Sequence, residues 1–369
     1  MSDDVGKPRL SASAAALRYG GIGAATLVLA CAFAYAGGWL SPGRLTQDRV
    51  ISGFEAANGK HAGFRRNHAK GLCASGWFDS NGAGAALSRA ALLAPGRVPV
   101  AGRFAFAGGM PFVPDGPGLV RSLALQFKPA GAQEWRTAMV DIPVFPFSTV
   151  QAFYDQMISS VPDPKTGKPD PARMKAFADA HPDFVAAVGV VGQRAVSSGF
   201  ANSTYNALDT FLFVDKAGAT VPVRWSAEAV TPFEPAAKPQ PADPNYLFDA
   251  LISDVARHPA QWKMVVTVGE PQDPVEPDKA WPASRRKIDI GTVTIDKVAS
   301  EDGGGDGGSC TDINFDPAIL PAGITTSADD IPSARSAAYA RSFTLRENER
   351  GQKPPSAVTR QEVNAGGKS

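Results

Sequence analysis

Two short stretches carry residue types able to do chemistry. The first is Arg65-Arg66-Asn67-His68-Ala69-Lys70-Gly71. The chain has four histidines in 369 residues, and this one stands among three cations. A solvated basic face is one reading. A positioned proton carrier is the other, because imidazole titrates closest to neutrality of all side chains. The second stretch is IPSARSAAYARSFTLR, residues 331–346. Pro332 suits the first turn of a helix, and Asp329 and Asp330 sit near its positive end. On that helix Arg335 and Tyr339 are at i and i+4 and share a face, and Arg346, seven residues further, falls on it too. The serines and alanines between them leave room for a large flat partner. A guanidinium one turn from a tyrosine stabilises the phenolate, and a phenolate is a hard ligand for ferric iron. Packing of Tyr339 with surface ion pairs for Arg335 and Arg346 satisfies the same spacing.

The rest of the chain must bring these stretches together. Residues 44–60 read as a short helix. From 61 to 147 the text is strand-like, with GRFAFAG, SLALQFKP and RTAMVDIPVFPF separated by Gly and Pro clusters. Residues 148–198 turn helical, and Pro171 suits a helix start. DTFLFVDKAG and TVPVRWSAEAV predict a hairpin around Lys216-Ala217-Gly218. NYLFDALISDVARHP has the apolar spacing of an amphipathic helix, and QWKMVVTVG and KIDIGTVTIDKV return to strands. GGGDGGSC, residues 303–310, lacks the Lys-Ser/Thr of a phosphate loop and reads as a linker. Beyond Glu347 the composition is polar, which predicts a disordered tail over 347–369. The pattern is α+β with an antiparallel β-barrel core and helical insertions, not a doubly wound sheet.

Lys plus Arg number 37 and Asp plus Glu 36, a net charge of +1, so nucleic acid is not an expected partner. Cys31, Cys73 and Cys310 are too few for a disulfide scaffold, and no spacing selects a pair. His61, His181 and His258 have no partners at metal-ligand spacing. Residues 19–43 contain no charge, and Lys7, Arg9 and Arg18 precede them. That predicts a cytoplasmic segment 1–18 and then a membrane anchor, or a signal peptide cut after Ala36, with the remainder on the exported, periplasmic side. The length of the run favours the anchor.

RRNHAKG, GRFAFAG, the run before PVFPF, DKAWP and DPAILPAGITTSADDIPSARSAAY occur in the order found in haem catalases. Residues 44–346 thus resemble the catalase superfamily, most closely the short catalase-related peroxidases. The resemblance implies a catalase-like antiparallel β-barrel binding haem b. His68 would be the distal histidine that moves a proton between peroxide oxygens, Tyr339 the iron ligand, and Arg335 its phenolate-stabilising partner. Arg65, Arg103 and Arg346 would pair with haem propionates, and Phe104 and Phe153 would flank the haem. Two departures stand out. The asparagine that orients peroxide in catalases falls at Val140, beside Asp141, and a serine that follows the phenylalanine is Ala105. The implied activity is a peroxidase that reduces hydrogen peroxide or small organic hydroperoxides with an external electron donor. Peroxide dismutation, rearrangement of hydroperoxides, and a haem carrier or sensor are the alternatives.

Overall fold

The structure is a computed structural model that describes residues 11–40, 43–236, 238, 242–302 and 310–366. The chain divides into a unit ending at Arg49 and a large unit from Val50 onward. In the first, helix α1 (Ala12–Ala36) is capped by Ser11, whose hydroxyl accepts from the Ala14 amide, and none of its residues is buried. It is long and apolar enough to cross a membrane. It begins seven residues before the uncharged run and takes in Arg18, because the serine cap, not hydrophobicity, sets where a helix starts. The expectations for residues 1–10 and for the glycine-rich 303–309 lie outside the described residues.

The large unit is built on strands β1 (Gly71–Ser80), β2 (Gly96–Phe106), β3 (Arg121–Phe127), β4 (Trp135–Val140), β5 (Tyr205–Asn206), β6 (Phe211–Val214), β7 (Thr220–Ala229), β8 (Ala260–Val268), β9 (Lys287–Ala299) and β10 (Ile324–Thr326). All pairings are antiparallel, and β7 pairs with β8 to close a ring of eight strands, β1–β5 and β7–β9. β6 and β10 extend it beside β7. Closure leaves the ring without an edge. Its interior is filled by Phe104, Phe106, Leu123, Leu125, Phe127, Trp135, Trp225 and Trp262, all buried. Because side chains alternate along a strand, Arg103 and Ala105 face outward on β2, as do Ser122 and Ala124 on β3. The helical insertions cover that outer face.

Helix α2 (Gln47–Asn58) enters this unit at Val50, and its other helices among the described residues are α3 (Val150–Ser159), α4 (Pro171–Ala180), α5 (Pro182–Gly192), α6 (Tyr246–Arg257), α7 (Ile331–Asn348) and α8 (Arg360–Gly366). Thr149 caps α3 and Asp170 caps α4, with Pro171 in its first turn as the sequence predicts. α6 buries Leu247, Phe248, Leu251, Ile252 and Val255, the stripe that its spacing specifies. Of the segment expected to be a disordered tail, the described residues 347–366 include the end of α7 and helix α8 and lie against the large unit. Val358 is buried, Val363 packs on the core, and the Ser300 hydroxyl donates to the Val358 carbonyl at 2.7 Å. Average composition missed these two valines and the polar contacts of Ser356 with Asp302 and of Ala357 and Glu362 with Asn245.

Candidate active site

Between the outer face of the barrel and helices α2, α3 and α7 lies a cavity of about 600 Å³. Of the expected site residues it is lined by His68, Arg65, Arg103, Phe153, Arg335, Tyr339 and Arg346. One face of α7 supplies Arg335, Tyr339, Ser342 and Arg346, with Ala334 and Ala338 between them. Phe153 is held edge-on by Phe54 at 5.6 Å and tilted on Phe147 at 5.1 Å.

Phe104 is the correction. It is fully buried and does not line the cavity; it packs inside the barrel against Phe200 and Trp262, each at 5.7 Å between ring centroids. Arg103 and Phe104 are consecutive on β2, so only one of them reaches the outer face.

His68 stands in the left-handed region at φ 55, the one non-glycine residue with positive φ among those described. Such a conformation costs ~1–3 kcal/mol and must be held by its surroundings. Both of its main-chain groups are held. Its amide donates to Asn67 Oδ1 at 2.9 Å, which also accepts from the Gly108 amide at 2.8 Å. Its carbonyl accepts from Arg103 Nη1 at 2.7 Å. The imidazole Nδ1 lies 3.1 Å from Ser122 Oγ, and Ser122 Oγ lies 3.3 Å from the Ala105 carbonyl. With the hydroxyl proton given to Ala105, Ser122 accepts from Nδ1–H and leaves Nε2 with its lone pair free. Burial, and then the cations Arg103, Arg335 and Arg65, push the His68 pKa down to about 3. His68 lines the cavity. It is neutral at pH 7 and able to accept a proton.

The charges around it have separate partners. Arg66 is fully paired, to Glu349 through both Nη atoms at 2.8 Å and to Glu55 at 2.9 Å. Lys70 is buried against Asp115 at 2.7 Å. The basic cluster is therefore no solvated face. Arg335 pairs with Asp209 and hydrogen-bonds Tyr339, and against the cost of burial these partners hold its pKa above the ordinary value. Arg65 and Arg346 are different. Arg65 Nη2 donates to the carbonyls of Cys310 and Ile313, at 2.9 and 3.0 Å. Arg65 Nε and Arg346 Nε and Nη2 are buried with no acceptor among the described residues. Burial and neighbouring cations lower both arginine pKa values, that of Arg346 to about 10.

Several lining residues were not singled out in the sequence. Ser122 is the register partner of Ala105. Asn206 is the register partner of Val140, lines the cavity and donates from Nδ2 to the Ile142 carbonyl at 3.1 Å. Val140 lines the cavity too, whereas Asp141 turns away to accept from the Arg121 amide at 2.9 Å. Cys73 and Cys310 form a disulfide, and they pack with Ile313 and Phe315 against Tyr339. Strand register and a separation of 237 residues leave no local signal for Ser122, Asn206 or the disulfide, whereas Val140 and Asp141 were marked by the resemblance.

The chain is similar to known proteins over most of its length. The family profile described as Catalase matches residues 46–359. A catalase-related peroxidase of Synechococcus elongatus is 33% identical over 311 residues, 82% of this chain and 89% of that protein. Among solved structures, a bacterial catalase superposes with TM-score 0.68 at 20% identity, covering 79% of this chain and 59% of its own. Catalase A from Saccharomyces cerevisiae superposes with TM-score 0.68 at 16% identity, covering 78% and 62%. The chain thus spans about three fifths of the length of these full catalases, which share its fold. The profile over residues 46–359 and a relative 33% identical across 82% of the chain, with His68, Arg335 and Tyr339 gathered on one cavity, make this chain a member of the catalase family.

Proposed function

We propose that this catalase-family, peroxide-acting oxidoreductase is a haem b-dependent peroxidase, reducing hydrogen peroxide or small organic hydroperoxides with an external electron donor. The observation that carries the reading is the set of buried Arg65 and Arg346 donors with no acceptor among the described residues, in the cavity shared by His68 and Tyr339. Glu301 faces Arg65, Arg103 and Arg346 but is spent on Arg103, which takes both of its oxygens, so the buried Arg65 and Arg346 donors keep positive charge turned to the cavity. That charge suits a dianionic ligand. The small residues Ala334, Ala338 and Ser342 leave α7 flat enough for a planar one, and Tyr339 offers an oxygen ligand to ferric iron. The residues present fit haem b.

When bound, the haem supplies the redox chemistry. The protein does the rest. Tyr339 would hold the iron, with Arg335 and Asp209 behind it. Arg65 and Arg346 would hold the propionates. Neutral His68 would take the proton from one peroxide oxygen at Nε2 and return it to the other, which departs as water; the two electrons that reduce the remaining oxygen to a second water would come from the external donor by way of the haem's redox chemistry. Val140 cannot hydrogen-bond a second peroxide, and the amide of its register partner Asn206 is engaged at Nδ2 by the Ile142 carbonyl, which favours peroxidation over dismutation.

We place this chemistry on the exported side of a membrane, tethered by or cleaved from residues 19–43. A disulfide suits an oxidising compartment, and the cations that precede the apolar run suit the cytoplasm.

The test uses the protein lacking residues 1–40. Haem titration is expected to give a tyrosinate-ligated spectrum that Tyr339→Phe abolishes; an unchanged spectrum in that variant overturns the ligand. Rapid mixing with hydrogen peroxide then separates activities. Oxidation of an added organic donor supports the peroxidase, and donor-independent oxygen release supports dismutation. No reaction in either arm leaves a carrier.

A further inference from the structure

Arg103 was expected to serve a cofactor carboxylate, yet its guanidinium is already filled. Nε and Nη2 each donate to Glu301 at 2.9 Å. Nη1 donates to the His68 carbonyl at 2.7 Å, and Nη2 also reaches the Ala69 carbonyl at 3.3 Å. Both side chains are almost wholly excluded from solvent, 3% exposed for Arg103 and 5% for Glu301. Burying that pair is costly unless each partner is satisfied, and here every guanidinium nitrogen is. The backbone has made room for it. A Cβ at Gly71 would lie 2.4 Å from the Arg103 guanidinium carbon, so only glycine fits beneath.

We propose that Glu301 is a positioning residue for the peroxide step: it locks Arg103 onto the main chain at residues 68–69 and so keeps His68 in its left-handed conformation. This rests on the reading of His68 as the group that acts on peroxide. Glu301 follows the last strand of the barrel, 198 residues beyond Arg103. Its carboxylate faces all three cations of the Arg65–Arg103–Arg346 cluster. Remove it, and Arg103 becomes a buried cation drawn to whatever anion the cavity holds. It leaves the His68 carbonyl, and the strained turn relaxes.

A structural role alone would weaken everything together. The positioning role separates two readouts. In Glu301→Ala the rate constant for reaction with hydrogen peroxide is expected to fall about 10–100-fold, the range that a small misplacement of a catalytic group produces. Haem affinity is expected to hold or tighten, because Arg103 is released toward the propionates. Glu301→Gln, which keeps the shape, is expected to fall between, and serves if the alanine variant does not fold. Arg103→Ala/Glu301→Ala is expected to react no slower than Arg103→Ala alone. An unchanged peroxide rate in both Glu301 variants overturns the proposal, as do additive losses in the double variant. A parallel loss of rate, haem affinity and melting temperature also overturns it. A wild-type protein inert toward peroxide overturns both this proposal and the function on which it rests.

Discussion

Ala105 and Ser122 face each other across β2 and β3, and the hydroxyl missing from the first is supplied by the second, 3.1 Å from His68 Nδ1. Directly opposed residues of an antiparallel pair share a face at about 5 Å. A side chain that moves to the opposite strand can therefore still reach the same partner. Ser122→Ala should leave the imidazole tautomer unset and slow the reaction with peroxide by about tenfold, the worth of one hydrogen bond to a reacting group. Haem affinity should not change. Rapid mixing and haem titration of the same variant check both halves. Ala105→Ser in the Ser122→Ala background should recover part of the rate.

The low pKa of His68, about 3, gives a pH prediction in two parts. The folded imidazole stays neutral down to about pH 4, so the peroxide rate should be flat from pH 8 to pH 5. An unperturbed histidine would show a fall centred at its ordinary pKa of about 6.5. Stability behaves differently. Between those two pKa values the unfolded imidazole binds a proton that the folded one does not, so the folded state loses stability as pH drops through that window. His68→Gln should remove that part of the acid slope, measured by denaturant unfolding at several pH values. An identical slope in the variant would refute the assignment.

Phe104 tests the inside of the barrel. Phe104→Ala should destabilise the large unit by about 3–5 kcal/mol, the usual cost of emptying a fully buried aromatic site. The haem spectrum of the folded fraction should be unchanged, since the side chain does not reach the cavity. Urea unfolding and a haem titration below the midpoint measure the two effects separately. A shifted spectrum without destabilisation would return Phe104 to the cavity wall.

The disulfide should matter to both fold and site. Cys73 lies beside Arg103 across the β1–β2 pairing, and the Cys310 carbonyl accepts from Arg65. Cys73→Ser/Cys310→Ser should cost about 2–5 kcal/mol and should also weaken haem binding, because the loop carrying the Arg65 acceptors is released. Thermal unfolding and haem titration, compared with wild type under oxidising conditions, read both. Loss of stability with unaltered haem affinity would make the bridge a staple of the fold alone.

How much of this was legible in the sequence depended on the range of the signal. The i, i+4 spacing of Arg335 and Tyr339 is a local property, and α7 presents both to the cavity together with Arg346. The apolar run, the strand texts and the α6 stripe are local too, and each gave its element. The order of RRNHAKG, GRFAFAG and the α7 stretch carried the family. The tertiary structure decided what depends on which strands meet and in what register. Alternation divides β2 into two faces but does not say which one lines the barrel, so Phe104 was assigned to the wrong side. Ser122 and Asn206 reach the cavity only because β3 and β5 stand opposite Ala105 and Val140. Glu301, the Cys73–Cys310 bridge and residues 347–366 are joined to their partners by chain closure, and no spacing within a window of sequence records that. The sequence determined which chemical groups the protein owns; the closed barrel decided which of them share one cavity and which are occupied holding His68 in place.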